Sequence, residues 1–461
     1  MTTIPPSTAS RTRPPEAPVV SRLRSPAPRP RQVDVALIIV AFGGGLTVGS
    51  ALISETAGQL RAAGGIAMFL GNLTGLVGTY LALVMFLLVS RLSFVERVLG
   101  QDGLLRWHRR LSPWPISLIV AHAFLLTIAY AQATHNGFWH QVGAFVSGYP
   151  GMLTAFVGFG LFIFVAACSV FAVRRRLRRE TWWAIHLAMY AAFALAFAHE
   201  VVLGPSFVNH PVAQVLWSVV WAATAGLVLA YRIGLPVVRT LRHDLRIDQT
   251  RVEADGVTSI ICTGRNLERL AVSGGQFFEW RFLARGLWWQ AHPYTLSARP
   301  QPPYVRLTVK AVGDHSSAIA TLQRGTRVAI EGPYGAFTTY AARHRQAAII
   351  AGGVGITAAR ALLEDLNEHS KPVVVLRGSS ESHIPLLEEV RQLVADRRGK
   401  ITVLTGTREE VPVLRVVEAL PDLRRRDVYV SGSEEFVLAV SAALEERGVA
   451  RSAIHSEVYA L

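Results

Sequence analysis

Six apolar runs occupy the first half of the chain, at roughly 33–53, 65–90, 112–131, 150–173, 181–203 and 212–238. A hydrocarbon core about 30 Å thick needs about 20 helical residues to cross it, and each run can do so. Lipid supplies no hydrogen-bond partners, so a segment in it must be a helix or part of a closed barrel. The runs therefore predict a six-helix membrane bundle. With 461 residues, 51% of them hydrophobic, the chain is too apolar for an ordinary soluble protein and too long for one domain.

The basic residues set the topology. Arg91, Arg97, Arg106, Arg109 and Arg110 lie between the second and third runs, and "RRRLRR" between the fourth and fifth. The alternate loops hold Arg61 and no other Arg or Lys. The positive-inside rule puts both termini in the cytoplasm. A net charge of +15 could suggest nucleic acid, but its placement beside apolar runs speaks for topology and against a nucleic-acid partner. Residues 1–31 are rich in Pro, Arg and Ser without an apolar run, which predicts a disordered cytoplasmic tail and not a signal peptide.

The two cysteines, Cys168 and Cys262, are too few for a Cys-ligated iron–sulfur cluster from this chain alone. With no CxxCH, any haem would not be c-type. A disulfide is not expected, because it would link a membrane segment to the second half.

After residue 238 charges become frequent and short β-branched runs appear: "TSIICTG", "YVRLTVKAV", "RVAIEGP". These read as antiparallel strands of a small barrel. From about 344 strands alternate with helical stretches ("QAAIIAGG", "PVVVLRG", "KITVLTG", "DVYVSGS"), the pattern of a doubly wound parallel sheet. The expected fold is a multi-domain membrane protein: a tail (1–31), a six-helix transmembrane bundle (32–238), an antiparallel β-barrel domain (239–340) and an α/β doubly wound domain (341–461).

Two pairs of histidines point to function. His108 and His122 belong to the third run and its approach, His186 and His199 to the fifth. At 1.5 Å per residue, spacings of 14 and 13 rise about 21 and about 20 Å. Two helices thus offer imidazoles at two matching depths, and bis-imidazole ligation of two haems follows. One of these histidines alone could be a packing residue. At 100° per residue, 14 residues return to within about 40° of one face, whereas 13 leave about 140°. The fifth helix is therefore expected to bend, twist, or present its two haems at different rotations. It has no Pro or Gly between 186 and 199 to mark a kink. His135, His140 and His210 on the outer side read as solvated loop residues or as a metal site at the exit.

In the second half, "AHPYTLSARP" and "EGPYGAF" suggest a flavin site. Tyr294 could lie against the isoalloxazine ring, with Thr295 and Ser297 bonding the ring and ribityl chain. His292, Arg299, Ser316 and Ser317 could meet the diphosphate; Pro293, Lys310, Gly332, Pro333, Tyr334 and Gly335 complete the expected set. In "IIAGGVGITAAR", Gly352, Gly353 and Gly355, followed by Ile356 and Thr357, let the backbone approach a pyrophosphate at a helix N-terminus. Arg377, Ser379 and Ser380 end the next strand, where a basic residue favours the 2′-phosphate of NADPH; the alternative is a surface arginine. Ser431 and Gly432 could flank the nicotinamide.

Taken together, these residues resemble the ferric reductase and NADPH oxidase superfamily over about 60–461. The histidine spacings, "HPYTLS", "GPYG" and "AGGVGIT" occur in the family's order. The resemblance implies FAD, NADPH and two b-type haems on His108/His186 and His122/His199. It implies electron transfer from cytoplasmic NADPH through FAD and the haems to an acceptor at the outer face, a metal ion or small molecule, in an integral membrane protein, expected in the plasma membrane. The chain departs from the family in three places. Ser431-Gly432 stands where Cys-Gly is frequent. The end reads "HSEVYAL", making Glu457 and Tyr459 the counterparts of an acid and a flavin-covering aromatic. Leu126 stands where oxidase members carry a further histidine. The expected acceptor is ferric iron or a similar chelate; O2 is the alternative. A transporter with proton-relay histidines is the reading from another class.

Overall fold

A computed structural model describes residues 30–53, 56–92, 95 and 101–459. The expected tail, but for its last two residues, and Arg97 lie outside them. The helices of the first half are α1 (Pro30–Ile53), α2 (Gly65–Val89), α3 (Gln101–Leu111), α4 (Pro113–Thr134), α5 (Phe138–Gly148), α6 (Met152–Ser169), α7 (Arg179–Leu203), α8 (Pro211–Leu229) and α9 (Leu235–His243). Among the described residues five helical stretches are long and apolar enough to cross a membrane: Gly65–Val89, Leu104–Thr134, Met152–Ser169, Glu180–Leu203 and Pro211–His243. The apolar part of α1, Leu37–Ile53, is shorter. Large apolar side chains such as Phe124, Phe164 and Leu216 face outward, as they do where lipid is the solvent.

Small residues decide how the helices meet. Cβ atoms added at Gly71, Gly75 and Gly78 of α2 would collide with Leu126, His122 and Ile119 of α4. Glycine at i and i+4 lets two membrane helices approach to backbone distance. Gly158 of α6 packs in the same way on the Ala192 carbonyl of α7. Phe162, Ala192 and Phe193 then fill the centre with Ala82.

A proline interrupts the hydrogen bonding of the third span, and the fifth is uninterrupted. Helix α7 runs continuously from Arg179 to Leu203. The interruption falls between α3 and α4 at Ser112. Pro113 has no N–H to offer the Arg109 carbonyl, which accepts the Ser112 hydroxyl instead at 3.1 Å.

Helix α8 continues through a π turn, Ala230–Gly234, into α9 and so into the β domain. That domain is a six-stranded antiparallel sheet ordered β4-β3-β6-β1-β2-β5. Its strands are β1 (Leu245–Ala254), β2 (Val257–Thr263), β3 (Phe277–Phe282), β4 (His292–Thr295), β5 (Tyr304–Lys310) and β6 (Arg327–Tyr334), and a bridge from Leu296 to Leu307 closes it. Trp280, Phe278, Phe282, Ile260 and Leu307 fill the barrel. Helix α10 (Asp314–Ala320) covers it.

The last part is a five-stranded parallel sheet ordered β11-β10-β7-β8-β9. It comprises β7 (Gln346–Gly352), β8 (Val373–Gly378), β9 (Lys400–Thr405), β10 (Arg426–Ser433) and β11 (Ile454–Tyr459), with helices α11 (Ile356–Asp365), α12 (Leu387–Asp396), α13 (Val413–Glu418) and α14 (Glu434–Glu446). Apolar cores lie on both faces. The order reverses between β7 and β10, the crevice where doubly wound sheets take ligands. Cys168 and Cys262 are both free.

Candidate functional site

The bundle brings the four histidines together in the expected pairs. The His108 and His186 ring centroids are 6.3 Å apart, and so are those of His122 and His199. The ring planes differ, at 76° in the first pair and 44° in the second. Hydrogen bonds of the usual length cannot span rings so placed, so mutual packing does not explain the pairs. Imidazole nitrogens bind first-row metals at about 2.0 Å, and each lies roughly 1.1 Å from its ring centroid. Both pairs leave a gap between their rings of the size that a metal held by the two imidazoles would need. The His122 Nδ1–H donates to the Gly71 carbonyl at 2.8 Å, which leaves Nε2 unprotonated for a metal. His186 Nδ1 meets the Ser169 hydroxyl at 3.2 Å. The Nδ1 atoms of His108 and His199 are buried, with the backbone of Met85 beside the first ring and that of Ala196 beside the second.

A largely apolar cavity of about 230 Å³ opens beside the second pair. Its lining includes His122, His199, Glu200, Leu126 and Tyr130. Glu200, which the sequence reading did not single out, has its carboxylate inside the bundle. It accepts the Thr79 hydroxyl of α2 at 2.9 Å and the Trp217 indole N–H of α8 at 3.0 Å. An ionisable residue in an apolar helix was the signal available for it. The glycines of α2 had the small-xxx-small pattern as theirs. Among the described residues no cluster of three or more His, Cys, Asp or Glu side chains could hold a metal ion, so His135, His140 and His210 do not gather into one.

In the second half three distant motifs converge on Tyr459. Its hydroxyl donates to Thr295 Oγ1 at 3.0 Å and lies 3.5 Å from Thr357 Oγ1. Thr295 ends β4, Thr357 opens α11 and Tyr459 ends β11. Burial, with the Glu457 carboxylate near, raises the Tyr459 phenol, which stays protonated and able to donate. Glu457 stands opposite Ser431 in the β10–β11 register. On β4 the Tyr294 ring stacks with His292, and burial pushes its phenol up to about 12. Pro293 pairs with Glu279 across β3. Among the described residues the Ser297 hydroxyl is buried without a hydrogen-bond partner, and so is His315 Nε2 beside His292.

At the other side of the crevice Gly353 adopts φ +58°, and a Cβ on Gly355 would lie 2.5 Å from the Ser431 carbonyl. The Ser431 hydroxyl donates to the Gly355 carbonyl at 2.9 Å, with Gly432 adjoining. Ile356 and Thr357 are buried at the start of α11. Gly332 and Gly335, at φ +144° and +96°, flank Pro333 and Tyr334 and pack on Phe278 and Phe277, where a side chain would collide or crowd.

Other expected contacts are engaged within the protein. Arg299 pairs with Asp365 at 3.2 Å. The Ser316 hydroxyl holds the N–H groups of Val312 and Gly313, capping α10, and Ser317 beside it is exposed. Lys310 is exposed at the end of β5. Arg377 donates to the carbonyls of Thr407 and Val411, with Arg408 near enough to lower its pKa after burial does. Ser379 is exposed, and the Ser380 hydroxyl bonds His383.

A family model described as a ferric reductase like transmembrane component matches residues 74–197. A second, described as an FAD-binding domain, matches residues 256–338. A probable ferric reductase transmembrane component of Candida albicans is 25% identical over 315 residues, 65% of this chain and 43% of its own length. Ferric/cupric reductase transmembrane component 1 of Candida albicans strain SC5314 is 25% identical over the same share of this chain and 38% of its own length. The match thus spans about two fifths of these relatives. Among solved structures, the flavohem-like FAD/NAD binding domain of nitric oxide dioxygenase from Vibrio cholerae is 21% identical, covering 48% of this chain and 99% of that one at a TM-score of 0.41.

Proposed function

Because the chain belongs to the ferric reductase and NADPH oxidase superfamily, we propose that it carries electrons from cytoplasmic NADPH across the membrane to a metal chelate on the outer face. In this reading it sits in the plasma membrane with six spans and both termini in the cytoplasm. The observation that carries the reading is the pair of equal 6.3 Å imidazole separations, one at each membrane depth.

His108 with His186, and His122 with His199, would hold two b-type haems. Tyr294, Thr295 and Ser297 would hold FAD, and the Gly352–Gly355 turn NADPH. Bound together, these cofactors supply the division of a two-electron hydride into single-electron steps. The chain's residues fix place and order. Gly71 orients His122 through Nδ1. Tyr459 joins the flavin strand to the nucleotide helix and shields the crevice from water. Ferric iron as acceptor is supported by the names of the relatives. Leu126 in the outer cavity, in place of a further histidine, favours a metal acceptor over O2.

The test is spectroscopy of the purified protein in detergent. A dithionite-sensitive b-type Soret band and haem reduction on adding NADPH are expected. A protein without that band would belong to the proton-relay transporter reading. Ferric chelate should then reoxidise the haems; superoxide formation indifferent to ferric chelate would favour the oxidase.

A further inference from the structure

Glu279 of β3 and Glu331 of β6 are directly opposed across the barrel sheet. Like charges in that position repel and weaken a strand pair. Both are largely buried, with 11% and 16% of their side chains exposed. The barrel alone offers them little relief: the Tyr334 hydroxyl donates to Glu331 at 2.8 Å and stays protonated.

The missing cation comes from the membrane domain. Arg91 follows the C-terminal cap of α2 and extends its guanidinium between the two carboxylates, 2.9 Å from Glu279 and 3.2 Å from Glu331. It also lies over the Tyr334 ring, 4.9 Å from the centroid. Arg232, in the π turn after α8, stands 3.6 Å from Glu331. A second observation agrees. Arg91 has φ +58°, a left-handed conformation that glycine usually supplies after a helix. A bulky residue persists there when its surroundings hold it, and here three groups of another domain do so.

We infer that Glu279 and Glu331 form a socket for Arg91, a joint that docks the flavin barrel on the end of α2. The joint touches the strands that bear the flavin motifs: β4 lies beside β3, and Tyr334 ends β6. Its other side leads to the histidines, since Met85, six residues before Arg91, has its backbone beside His108. Arg91 is a positioning residue. It sets the distance between the flavin strands and the His108–His186 level, and this last step rests on the proposed electron path.

The test compares wild type with Arg91→Ala, Arg91→Lys and the double variant Glu279→Gln/Glu331→Gln, all as full-length protein. In Arg91→Ala, hydrogen exchange in 277–282 and 327–334 should rise. Flavin reduction by NADPH should stay within about twofold of wild type, while haem reduction slows at least tenfold. Arg91→Lys should recover part of that loss. The double variant, relieved of repulsion, should fold with an intact barrel yet slow haem reduction to a similar degree. That outcome separates docking from general misfolding. Unchanged exchange and unchanged haem reduction in Arg91→Ala would overturn the joint. If NADPH reduces no haem in the wild type, the electron path fails, and the exchange measurement still decides the docking.

Discussion

A methyl group on Gly75 would lie 2.4 Å from Nδ1 of His122, well inside contact distance. Relief would require α2 to move or His122 to leave the Gly71 carbonyl, and crowding of this kind typically costs about 1–3 kcal/mol. Gly75→Ala is therefore expected to lose the outer haem and keep the inner one. Haem content per chain, measured by pyridine haemochrome, should fall toward half; full occupancy would show that the glycine serves packing alone. The histidines were legible in the sequence because helical rise turns residue number into depth. Gly75 was less so, because its role depends on which side chain of α4 it faces. Arg299 and Arg377 show the opposite limit. The motif around Arg299 and the strand end at Arg377 suggested phosphates; without a ligand, Arg299 meets Asp365 and Arg377 the Thr407 and Val411 carbonyls. Only long-range packing reveals such engagements.

At the scale of elements, the apolar runs and the change from antiparallel to parallel strand patterns could be read directly. Each depends on a period of a few residues. Helix α5 was read as loop, because its eleven residues are too few to span and their apolar positions form no long run. In the structure it packs Phe145 against Tyr130 and Tyr149. A bend, a local twist or different haem rotations were expected of the fifth span; its helix α7 runs uninterrupted, while a proline interrupts the hydrogen bonding of the third at Ser112. Pro113 leaves the Arg109 carbonyl without its helical donor at the join of α3 and α4, and His108 and His122 meet their partners on the uninterrupted α7. Pro113→Ala should restore the missing N–H and straighten the join. The expected result is a shifted electron paramagnetic resonance signal for the inner haem with the outer signal unchanged. Equal shifts in both would place the kink's effect elsewhere.

Across the whole molecule, Glu389 of α12 ties the barrel to the nucleotide domain. Its carboxylate meets Arg306 of β5 at 2.7 Å, Arg360 of α11 at 2.8 Å and Arg251 of β1 at 3.1 Å. Burial alone would raise its pKa; hydrogen bonds and charge from Arg306 and Arg360 outweigh that and hold it at about 2, against an ordinary 4.5. A depressed carboxyl stabilises the fold above its unfolded pKa and loses that contribution as pH falls toward the folded value. The melting temperature should therefore drop between about pH 4.5 and about 2. Glu389→Gln should cost on the order of 2 kcal/mol at neutral pH, from weakened charged hydrogen bonds. The gap from wild type should close over the same window; melting curves that remain parallel with pH would remove Glu389 as the cause.

Sequence by itself determined the long apolar helices, the spacing of the histidines along them, the barrel followed by a doubly wound sheet, and the glycine turns. These follow from hydrophobic period, helical rise and backbone freedom, all of them local. Tertiary structure decided which side chains Arg299 and Arg377 meet, what the glycines of α2 face, and how the barrel is joined to α2. Those outcomes depend on groups far apart in the chain: Arg91 and Glu331 are separated by 240 residues. The opposed carboxylates of Glu279 and Glu331 become visible only once a strand register sets them face to face.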